Sequence, residues 1–343
     1  MSAIELKVAD GHKEWTATEP SAMALRTSNP IRQIVDSLTV VGNPDKEPIK
    51  LSIGDPTVFG NLPRAPQVTQ AIVDVASTGK FEGYPPATGY EFARKSVARY
   101  FSDKVIQVTK SLFPADEEQQ QLVNCNQLDA NDVILASGCS HALEMVIAGI
   151  CNPGENILIP RPSFPLYKTI ADSFDLEVRY YRLDASNNWQ VDLKDLDEQV
   201  DSRTRAILIS NPSNPCGSVY SKAHLINVLA VAEKHGLPII ADEIYWDMVF
   251  SGEKFIPLAS VSINVPIISV GAISKRYLVP GWRLGWIMLF DRHQQLTNVR
   301  CFSKVFSKLL TFSVVATKGF DNARPANLRS KFSHSRCSPK HSQ

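Results

Sequence analysis

A lysine close to the end of an apolar run is the residue of this sequence best suited to covalent chemistry. Lys275 lies in "SVGAISKRYLVPGWRLGW", a few residues beyond a β-branched stretch, and Arg283 follows eight residues later. A loop lysine is ordinarily solvated, but one held among apolar groups beside another cation loses its proton more easily and becomes a nucleophilic amine. Lys275 is therefore a candidate nucleophile.

Two adjacent carboxylates follow another apolar run. Asp242 and Glu243 lie in "ADEIYWDM", directly after "LPII". A carboxylate at the mouth of an apolar strand is costly to bury unless a cation or a hydrogen-bond donor meets it. Asp242 is therefore either part of a polar site or the N-cap of a following helix, and the local sequence is compatible with both.

Two further segments have the composition of turns that can present donors. "SGCSHALE" (Ser137 to Glu144) follows a predicted strand and opens a helix, so that Gly138, Cys139 and Ser140 could offer backbone N–H groups and a hydroxyl to a phosphate. "NPSNPCG" (211–217) contains two Asn-Pro pairs, which favour a rigid loop with exposed side-chain amides. An ordinary turn explains either segment equally well when it is taken alone.

The elements that must position these segments alternate between short β-branched runs and longer amphipathic stretches. Continuous apolar runs indicate strands covered on both faces, so the sequence predicts an α/β fold with a mainly parallel sheet sandwiched by helices. Such sheets bind ligands beyond the carboxyl ends of their strands. The predicted strands are "DVILAS", "NILIP", "LEVRYYRL", "TRAILIS", "LPIIADE", "VPIISVG" and "LGWIML", and the predicted helices include "HALEMVIAGI", "FPLYKTIADSF" and "SKAHLINVLAVAEKHG".

Composition along the chain predicts three parts. Residues 1–60 form an N-terminal arm and a portion of a small domain, with one short helix near 31–38; residues 61–291 form the large domain; and residues 292–343 form a divergent, partly disordered tail in which "KVFSKLLTF" could be a helix. The polar stretch 103–128, which contains "PADEEQQQ", is expected to be a surface insertion.

Charge and hydropathy exclude several classes of partner. Lys and Arg together number 36 against 35 Asp and Glu, so we expect neither nucleic acid nor an anionic membrane as a partner. The N-terminus lacks an uninterrupted apolar stretch, and no run reaches about 18 apolar residues, which is typical of a soluble intracellular protein. The six cysteines show no metal-binding spacing, so no metal is expected.

Taken in order, these segments resemble the class I aminotransferases among the fold-type I pyridoxal-phosphate enzymes, over roughly residues 51–291. The stretches "NPSNPCGSVYSKAHL", "ADEIYWDMVF", "KRYLVPGWRLGW", "LSIGDPTVFGNLP" and "GYPPATGY" are similar to the tyrosine aminotransferase branch of that family. The resemblance implies pyridoxal 5'-phosphate as cofactor, an amino acid and a 2-oxo acid as substrates, and a homodimer. It also implies a cytoplasmic location, without excluding a mitochondrial one.

The resemblance assigns catalytic roles to three residues. Lys275 would bind the cofactor as a Schiff base and then carry the proton between the substrate α-carbon and the cofactor. Asp242 would pair with the pyridine nitrogen and keep it protonated. Tyr245, together with Asn214, would hydrogen-bond the cofactor's ring oxygen.

Other residues would hold the cofactor and the substrate by the same resemblance. Phe164 would stack on the pyridine ring, and Tyr84 would reach the phosphate of a neighbouring subunit. Gly54 and Asn214 would contact the substrate. The phosphate would be held by Arg283 with Gly138, Cys139, Ser140 and Ser274.

The chain departs from the family pattern in two places. Ala272 stands where related enzymes often have a phosphate-binding serine. After Asp291 the resemblance ends, so the family's C-terminal small domain, which carries the arginine that binds the substrate α-carboxylate, is predicted to be missing. No arginine of the tail lies in a matching context; those considered are Arg292, Arg300, Arg324, Arg329 and Arg336.

Three functions therefore remain open from the sequence. The first is transamination of tyrosine with 2-oxoglutarate to 4-hydroxyphenylpyruvate and glutamate. The second is another fold-type I activity such as a carbon–sulfur β-lyase, because the cofactor cradle is shared and the reaction depends on other residues. The third is a truncated homologue that binds cofactor but is catalytically defective.

Overall fold

In the computed structural model the chain is described at residues 17–37, 43–46, 54–57, 60 and 62–296, and within this part eight strands form one sheet. The strands are β1 (Val133–Ala136), β2 (Asn156–Arg161), β3 (Glu177–Asp184), β4 (Gln190–Val191), β5 (Thr204–Ser210), β6 (Ile239–Asp242), β7 (Ile267–Ala272) and β8 (Gly285–Phe290). Their order across the sheet is β1-β8-β7-β6-β5-β2-β3-β4.

Most neighbouring strands run parallel. β7, β6, β5, β2 and β3 are parallel to one another, whereas β8 is antiparallel to both of its neighbours, β1 and β7. β1 therefore points in the same direction as β7, and β4 pairs antiparallel with β3 at the sheet edge. The predicted mainly parallel sheet is confirmed. The antiparallel direction of β8 could not be predicted, because an apolar run does not indicate the direction of a strand.

Helices cover both faces of this sheet. The described helices are α1 (Ala22–Arg26), α2 (Pro30–Ser37), α3 (Pro66–Ala76), α4 (Glu91–Leu112), α5 (Glu117–Cys125), α6 (Gly138–Ile150), α7 (Leu166–Ser173), α8 (Leu193–Glu198), α9 (Lys222–Lys234) and α10 (Ile273–Arg276). Short 3₁₀ turns occur at Ala130–Asp132, Ala185–Asn187, Leu258–Val261 and Pro280–Trp282.

Alternate residues of each strand enter two separate apolar layers. In β5, Ile207 and Ile209 pack with α4 and α9 on one face, while Ala206 and Leu208 pack with α6 and α7 on the other. Side chains along a strand point alternately to opposite faces, so a strand covered on both sides must be apolar at every position. This burial explains why the strands appear in the sequence as continuous apolar runs.

The predicted strands and the three predicted helices are confirmed, each within a few residues of its predicted bounds. β4 was not predicted, because a strand of two residues is too short to produce a periodic pattern. The short helix predicted near residues 31–38 is α2.

The prediction of a surface insertion at 103–128 is wrong. This stretch contains the second half of α4 and all of α5, and Val105 and Leu122 are fully buried. The Thr109 hydroxyl donates a hydrogen bond to the carbonyl of Ser260, at 3.1 Å. Apolar residues recur here with helical period among many polar ones, so average composition concealed a helix that is half core and half surface.

Within the predicted arm, α1 docks on the end of α7. The Arg26 guanidinium donates to the carbonyls of Asp172 and Ser173, both at 2.8 Å. These acceptors belong to the last turn of α7, where helix carbonyls lack partners within the helix. The division into arm, large domain and tail stays a prediction, and the helix predicted in "KVFSKLLTF" lies outside the described residues.

Glu243 is a buried carboxyl group on the face of the sheet that contacts α4 and α9. It is 3% exposed, and it accepts a hydrogen bond from the backbone N–H of Leu258 at 2.9 Å and another from the Ser269 hydroxyl of β7. Burial raises the pKa of Glu243 to about 7, although both hydrogen bonds oppose this shift. The folded protein therefore keeps Glu243 protonated at a pH where the unfolded chain has already lost the proton.

This difference predicts that Glu243→Gln stabilises the protein in a pH-dependent way. Between pH 4.5 and about 7 the unfolded chain ionises at Glu243 and the folded state does not, so the wild-type free energy of unfolding falls as pH rises. Glutamine cannot ionise, so the variant does not lose stability in this way. The free energy of unfolding of Glu243→Gln relative to wild type should therefore increase by roughly 3 kcal/mol between pH 5 and pH 8. Urea unfolding at both pH values measures this, with Glu253→Gln as a surface control. A difference that does not change with pH would contradict the assignment.

Candidate active site

Four loops meet at one edge of the sheet, beyond the carboxyl ends of β1, β5, β6 and β7. β1 leads into α6, β5 into the loop 211–217, β6 ends at Asp242, and β7 leads into α10 with Lys275. Because these four strands point in the same direction, the segments that follow them come together. The sheet topology thus assembles the segments singled out in the sequence.

Asp242 is the buried acceptor at the centre of this edge. Its side chain points to the face covered by α6 and α7, and the residue is 3% exposed. Oδ2 accepts a hydrogen bond from the Tyr167 hydroxyl at 2.7 Å, and Oδ1 accepts from the Ile244 N–H at 3.2 Å and from Cys139 Sγ at 3.6 Å. Burial raises the pKa of Asp242, whereas these donors and the charge of Lys275 lower it.

The alternative role of Asp242 as a helix N-cap is not what the structure shows. Residues 244–247 form turns rather than a helix, so the bond from Ile244 closes a local turn. The two donors from distant elements, Tyr167 and Cys139, are both neutral, because burial raises the pKa of each well above its ordinary value. Asp242 is therefore a carboxylate held by neutral donors.

Lys275 lies in the short helix α10, half-buried behind Asp242. Its Nζ is 5.9 Å from the centre of the Tyr245 ring, and burial raises the pKa of Tyr245, which keeps that hydroxyl protonated and able to donate. Hydrogen bonds from Thr57 lower the pKa of Asp55, and the charge of Lys275 contributes to this shift. Asp55 follows Gly54, so the predicted substrate-binding segment lies within electrostatic range of the lysine.

The N-terminus of α6 and the guanidinium of Arg283 lie side by side, an arrangement that suits an anion. No side chain caps this helix, so its first backbone N–H groups have no intrahelical acceptor. Arg283 Nη2 donates to the carbonyl of Ser137 at 3.1 Å, and Nη1 donates to that of Pro280 at 2.9 Å. The remaining N–H groups of the guanidinium are available as hydrogen-bond donors. A cation beside an uncapped helix N-terminus favours the binding of a dianion such as a phosphate group.

Two glycines permit this close approach. Gly138 has φ +80°, and a Cβ there would collide with the Arg283 guanidinium. A Cβ on Gly285 would lie 2.5 Å from the carbonyl carbon of Gly138. The start of β8 and the start of α6 can therefore lie against each other only because both positions lack side chains.

The remaining predicted residues lie at varying distances from this centre. Phe164 is half-buried and meets Tyr167 edge-on, with ring centres 5.7 Å apart. The Asn214 N–H donates to Ser210 Oγ at 3.4 Å, at the end of β5. Tyr84 is 81% exposed and does not join the site within this chain. Ser140 lies in the first turn of α6 and Ser274 in α10.

Tyr167 contacts Asp242 but has no predicted role in the sequence, where it falls within a predicted helix. Cys139 is a predicted phosphate-binding residue, and the structure adds a contact of its thiol with Asp242. Tyr167 lies three residues after Phe164, a spacing that places both side chains on the same side of the chain where α7 begins. This spacing is the only feature of the local sequence that could have indicated a role for Tyr167, because its partner Asp242 is 75 residues away in the chain.

Metal-ligand clusters and membrane-spanning helices are both absent from the described ranges. No three His, Cys, Asp or Glu side chains there come together as metal ligands would. Nor does any helix in those ranges combine the length and apolar character needed to cross a bilayer.

Sequence comparison places the site in a wider context. The mouse tyrosine aminotransferase is 50% identical over 292 residues, which cover 84% of this chain and 60% of that protein. The human tyrosine aminotransferase is 49% identical over 290 residues, covering 84% and 59%. The chain thus spans about 60% of the length of these relatives.

Comparison with solved structures also finds aminotransferases. The crystal structure of tyrosine aminotransferase from Leishmania infantum superimposes with a TM-score of 0.77 at 36% identity, covering 89% of this chain and 71% of that one. An alanine aminotransferase from Pyrococcus furiosus gives a TM-score of 0.73 at 25% identity, with 88% and 71% covered. The family model for aminotransferase class I and II matches residues 46–317. Because this match covers more than half of the sequence, the chain belongs to the class I and II aminotransferase family.

Proposed function

We propose that this chain catalyses pyridoxal-phosphate-dependent transamination of an aromatic amino acid, converting tyrosine and 2-oxoglutarate to 4-hydroxyphenylpyruvate and glutamate. The observation that carries the proposal is the meeting, at one sheet edge, of a buried carboxylate, an amine and an anion site. Relatives with about half of their aligned residues identical bear the name tyrosine aminotransferase. That name supports an aromatic substrate over the β-lyase alternative.

The groups at the sheet edge fit pyridoxal phosphate by their chemistry. The cofactor has a phosphate, an aldehyde and a pyridine nitrogen, and the site offers a helix N-terminus with Arg283, the amine of Lys275 and the carboxylate of Asp242. The glycine cradle at 138 and 285 leaves the helix N-terminus open beside the arginine. When bound, the cofactor supplies an electron sink for the pair left on the substrate α-carbon.

Two of the chain's residues would manage protons in the reaction. Lys275 would hold the cofactor through its amine and, when released by the substrate, would act as the base and acid that moves the α-proton. Asp242 holds the proton on the pyridine nitrogen, which requires the carboxylate to stay ionised although it is buried.

Other residues would hold and orient the bound groups. Tyr245 and Asn214 would donate to the ring oxygen, and Phe164 would cover the ring. Arg283 would bind the phosphate together with Gly138, Cys139, Ser140 and Ser274.

The proposal extends to a second copy of the chain and to the substrate. Tyr84 is almost fully exposed, so its hydroxyl is available to the phosphate site of a partner subunit in a homodimer. Gly54 and Asn214 would lie against the substrate, and the 2-oxo acid would enter the same site in the second half-reaction.

A product assay tests the proposed reaction. Purified protein with pyridoxal phosphate, tyrosine and 2-oxoglutarate should form glutamate and the aromatic oxo acid in equal amounts, with ping-pong kinetics. Release of a thiol, ammonia and pyruvate from a thioether amino acid, without glutamate formation, would instead indicate a β-lyase. Cofactor binding without either reaction would indicate a catalytically defective chain.

Replacement of the lysine tests covalent attachment. Lys275→Ala should lose the visible absorbance of the lysine-bound cofactor and the adduct that borohydride fixes to the protein, because no other amine lies in the site as proposed. Circular dichroism should remain that of wild type. Lys254→Ala, an exposed lysine outside the site, is the control and should keep both signals. A borohydride-fixed adduct that survives in Lys275→Ala would reassign the attachment to another residue.

Replacement of the aspartate tests the buried ion pair. Asp242→Asn should weaken pyridoxal-phosphate binding by about 3 kcal/mol, roughly a hundredfold, because the pyridinium proton loses its charged acceptor. Turnover should fall close to background. The control is Asp195→Asn. Asp195 is a buried carboxylate of α8 that accepts a hydrogen bond from the backbone N–H of Arg182 in β3, away from this edge. Equal cofactor affinity in the two variants would mean that Asp242 has only a structural role.

A further inference from the structure

We propose that Tyr167 is a positioning residue that holds the Asp242 carboxylate for the cofactor's pyridine nitrogen. The inference rests on the proposed function, because it concerns the carboxylate that would meet this nitrogen. It is carried by a contact between two distant elements, α7 and the end of β6.

The contact is short and inaccessible to water. Tyr167 is 0% exposed, and its hydroxyl donates to Oδ2 of Asp242 at 2.7 Å. The ring packs among the apolar side chains of α6 and α7 and meets Phe164 edge-on. A buried tyrosine has few accessible rotamers, so its hydroxyl is held at one place.

Counting acceptor positions shows which oxygen remains available. An ionised carboxylate can accept about four hydrogen bonds, two at each oxygen. Oδ1 already accepts from the Ile244 N–H and from the Cys139 thiol, whereas among the described residues Oδ2 accepts from Tyr167 alone. The geometry therefore leaves the free position on the oxygen that Tyr167 holds.

Tyr167 is also the strongest donor to this carboxylate. A thiol is a weak donor, and the Cys139 contact measures 3.6 Å; the backbone bond from Ile244 measures 3.2 Å. Burial raises the pKa of Asp242, and the hydrogen bond from Tyr167 is the largest effect that opposes this rise. Without that hydroxyl, Asp242 would take up a proton at a higher pH and lose its attraction for a pyridinium.

Several ionisable groups face Asp242 and shape its titration. The positive group is Lys275 in α10, and it favours the ionised form of Asp242. The other groups that face it are Tyr167 of α7, Cys139 of α6 and Tyr245 of the following loop. Glu243 is adjacent in the chain but points to the opposite face, and the charge of Asp242 contributes to its raised pKa.

Tyr181 provides a matched control within the same chain. It is also 0% exposed, and its hydroxyl donates to the carbonyl of Leu208 at 2.8 Å. It belongs to the other apolar layer, with α4 and α9, and its partner is an uncharged backbone group. Removing the Tyr181 hydroxyl costs one buried hydrogen bond, whereas removing that of Tyr167 costs the bond to Asp242 and a second one with the Ser210 side chain. Only the Tyr167 hydroxyl contacts Asp242.

The experiment compares cofactor binding by Tyr167→Phe, Tyr181→Phe and wild type. Apo-protein is titrated with pyridoxal phosphate from pH 6 to 8.5, and with the analogue that has carbon in place of the pyridine nitrogen. Tyr167→Phe should bind pyridoxal phosphate about tenfold more weakly, about 1.4 kcal/mol, with a larger loss at the lower pH. Its affinity for the analogue, and the pyridoxal-phosphate affinity of Tyr181→Phe, should equal those of wild type.

Two further measurements separate positioning from support of the fold. The thermal midpoints of both phenylalanine variants should be lowered, that of Tyr167→Phe by the larger amount because this variant loses two buried hydrogen bonds. In an Asp242→Asn background, Tyr167→Phe should cause no additional loss of affinity, since the two residues act through one interaction.

The possible outcomes are distinct. Equal loss of affinity for pyridoxal phosphate and its analogue, or additive losses in the double variant, would overturn the positioning role and leave the proposed function intact. Failure of wild-type protein to bind pyridoxal phosphate would overturn both.

Discussion

The burial of the Asp242 carboxylate at the end of a central strand constrains much of what surrounds it. A charged group removed from water in this way must be met by donors or it takes up a proton. Strand alternation points Asp242 toward α6 and α7, and these two helices supply the Cys139 thiol and the Tyr167 hydroxyl. The placement of both helices on this face is thus tied to the ionisation of one side chain.

The neighbouring carboxyl group shows how strongly environment decides the outcome. Glu243 points to the opposite face, where it accepts from Leu258 and Ser269, and its pKa rises to about 7. Asp242 instead has three donors and the charge of Lys275 opposing its desolvation. Period-two geometry therefore sends two adjacent acids into different surroundings, one within the site and one within the core, with different sets of donors opposing the effect of burial.

The antiparallel strand β8 has a comparable role for the anion site. It reverses direction next to β7 and begins against the N-terminus of α6, which brings Arg283 to the free N–H groups of that helix. Gly138 and Gly285 make the approach possible by removing two Cβ atoms from the contact. Membership of the class I and II aminotransferases accords with this arrangement. The helix N-terminus that would meet a phosphate, the aspartate and the lysine are each positioned by a different strand.

The sequence by itself determined the strands, because burial on both faces demands continuous apolar runs, and it located Lys275, Asp242 and Arg283 beyond strand ends, because functional loops follow the strands of such sheets. It also placed the chain among the fold-type I enzymes through motifs that are contiguous in sequence. Composition misassigned residues 103–128, since an average over a half-buried helix resembles that of a surface segment. The tertiary structure alone decided the direction of β8, the opposite surroundings of Asp242 and Glu243, and the bond from Tyr167. Each of these depends on contacts between residues far apart in the chain, and such contacts are set by how layers pack rather than by local periodicity.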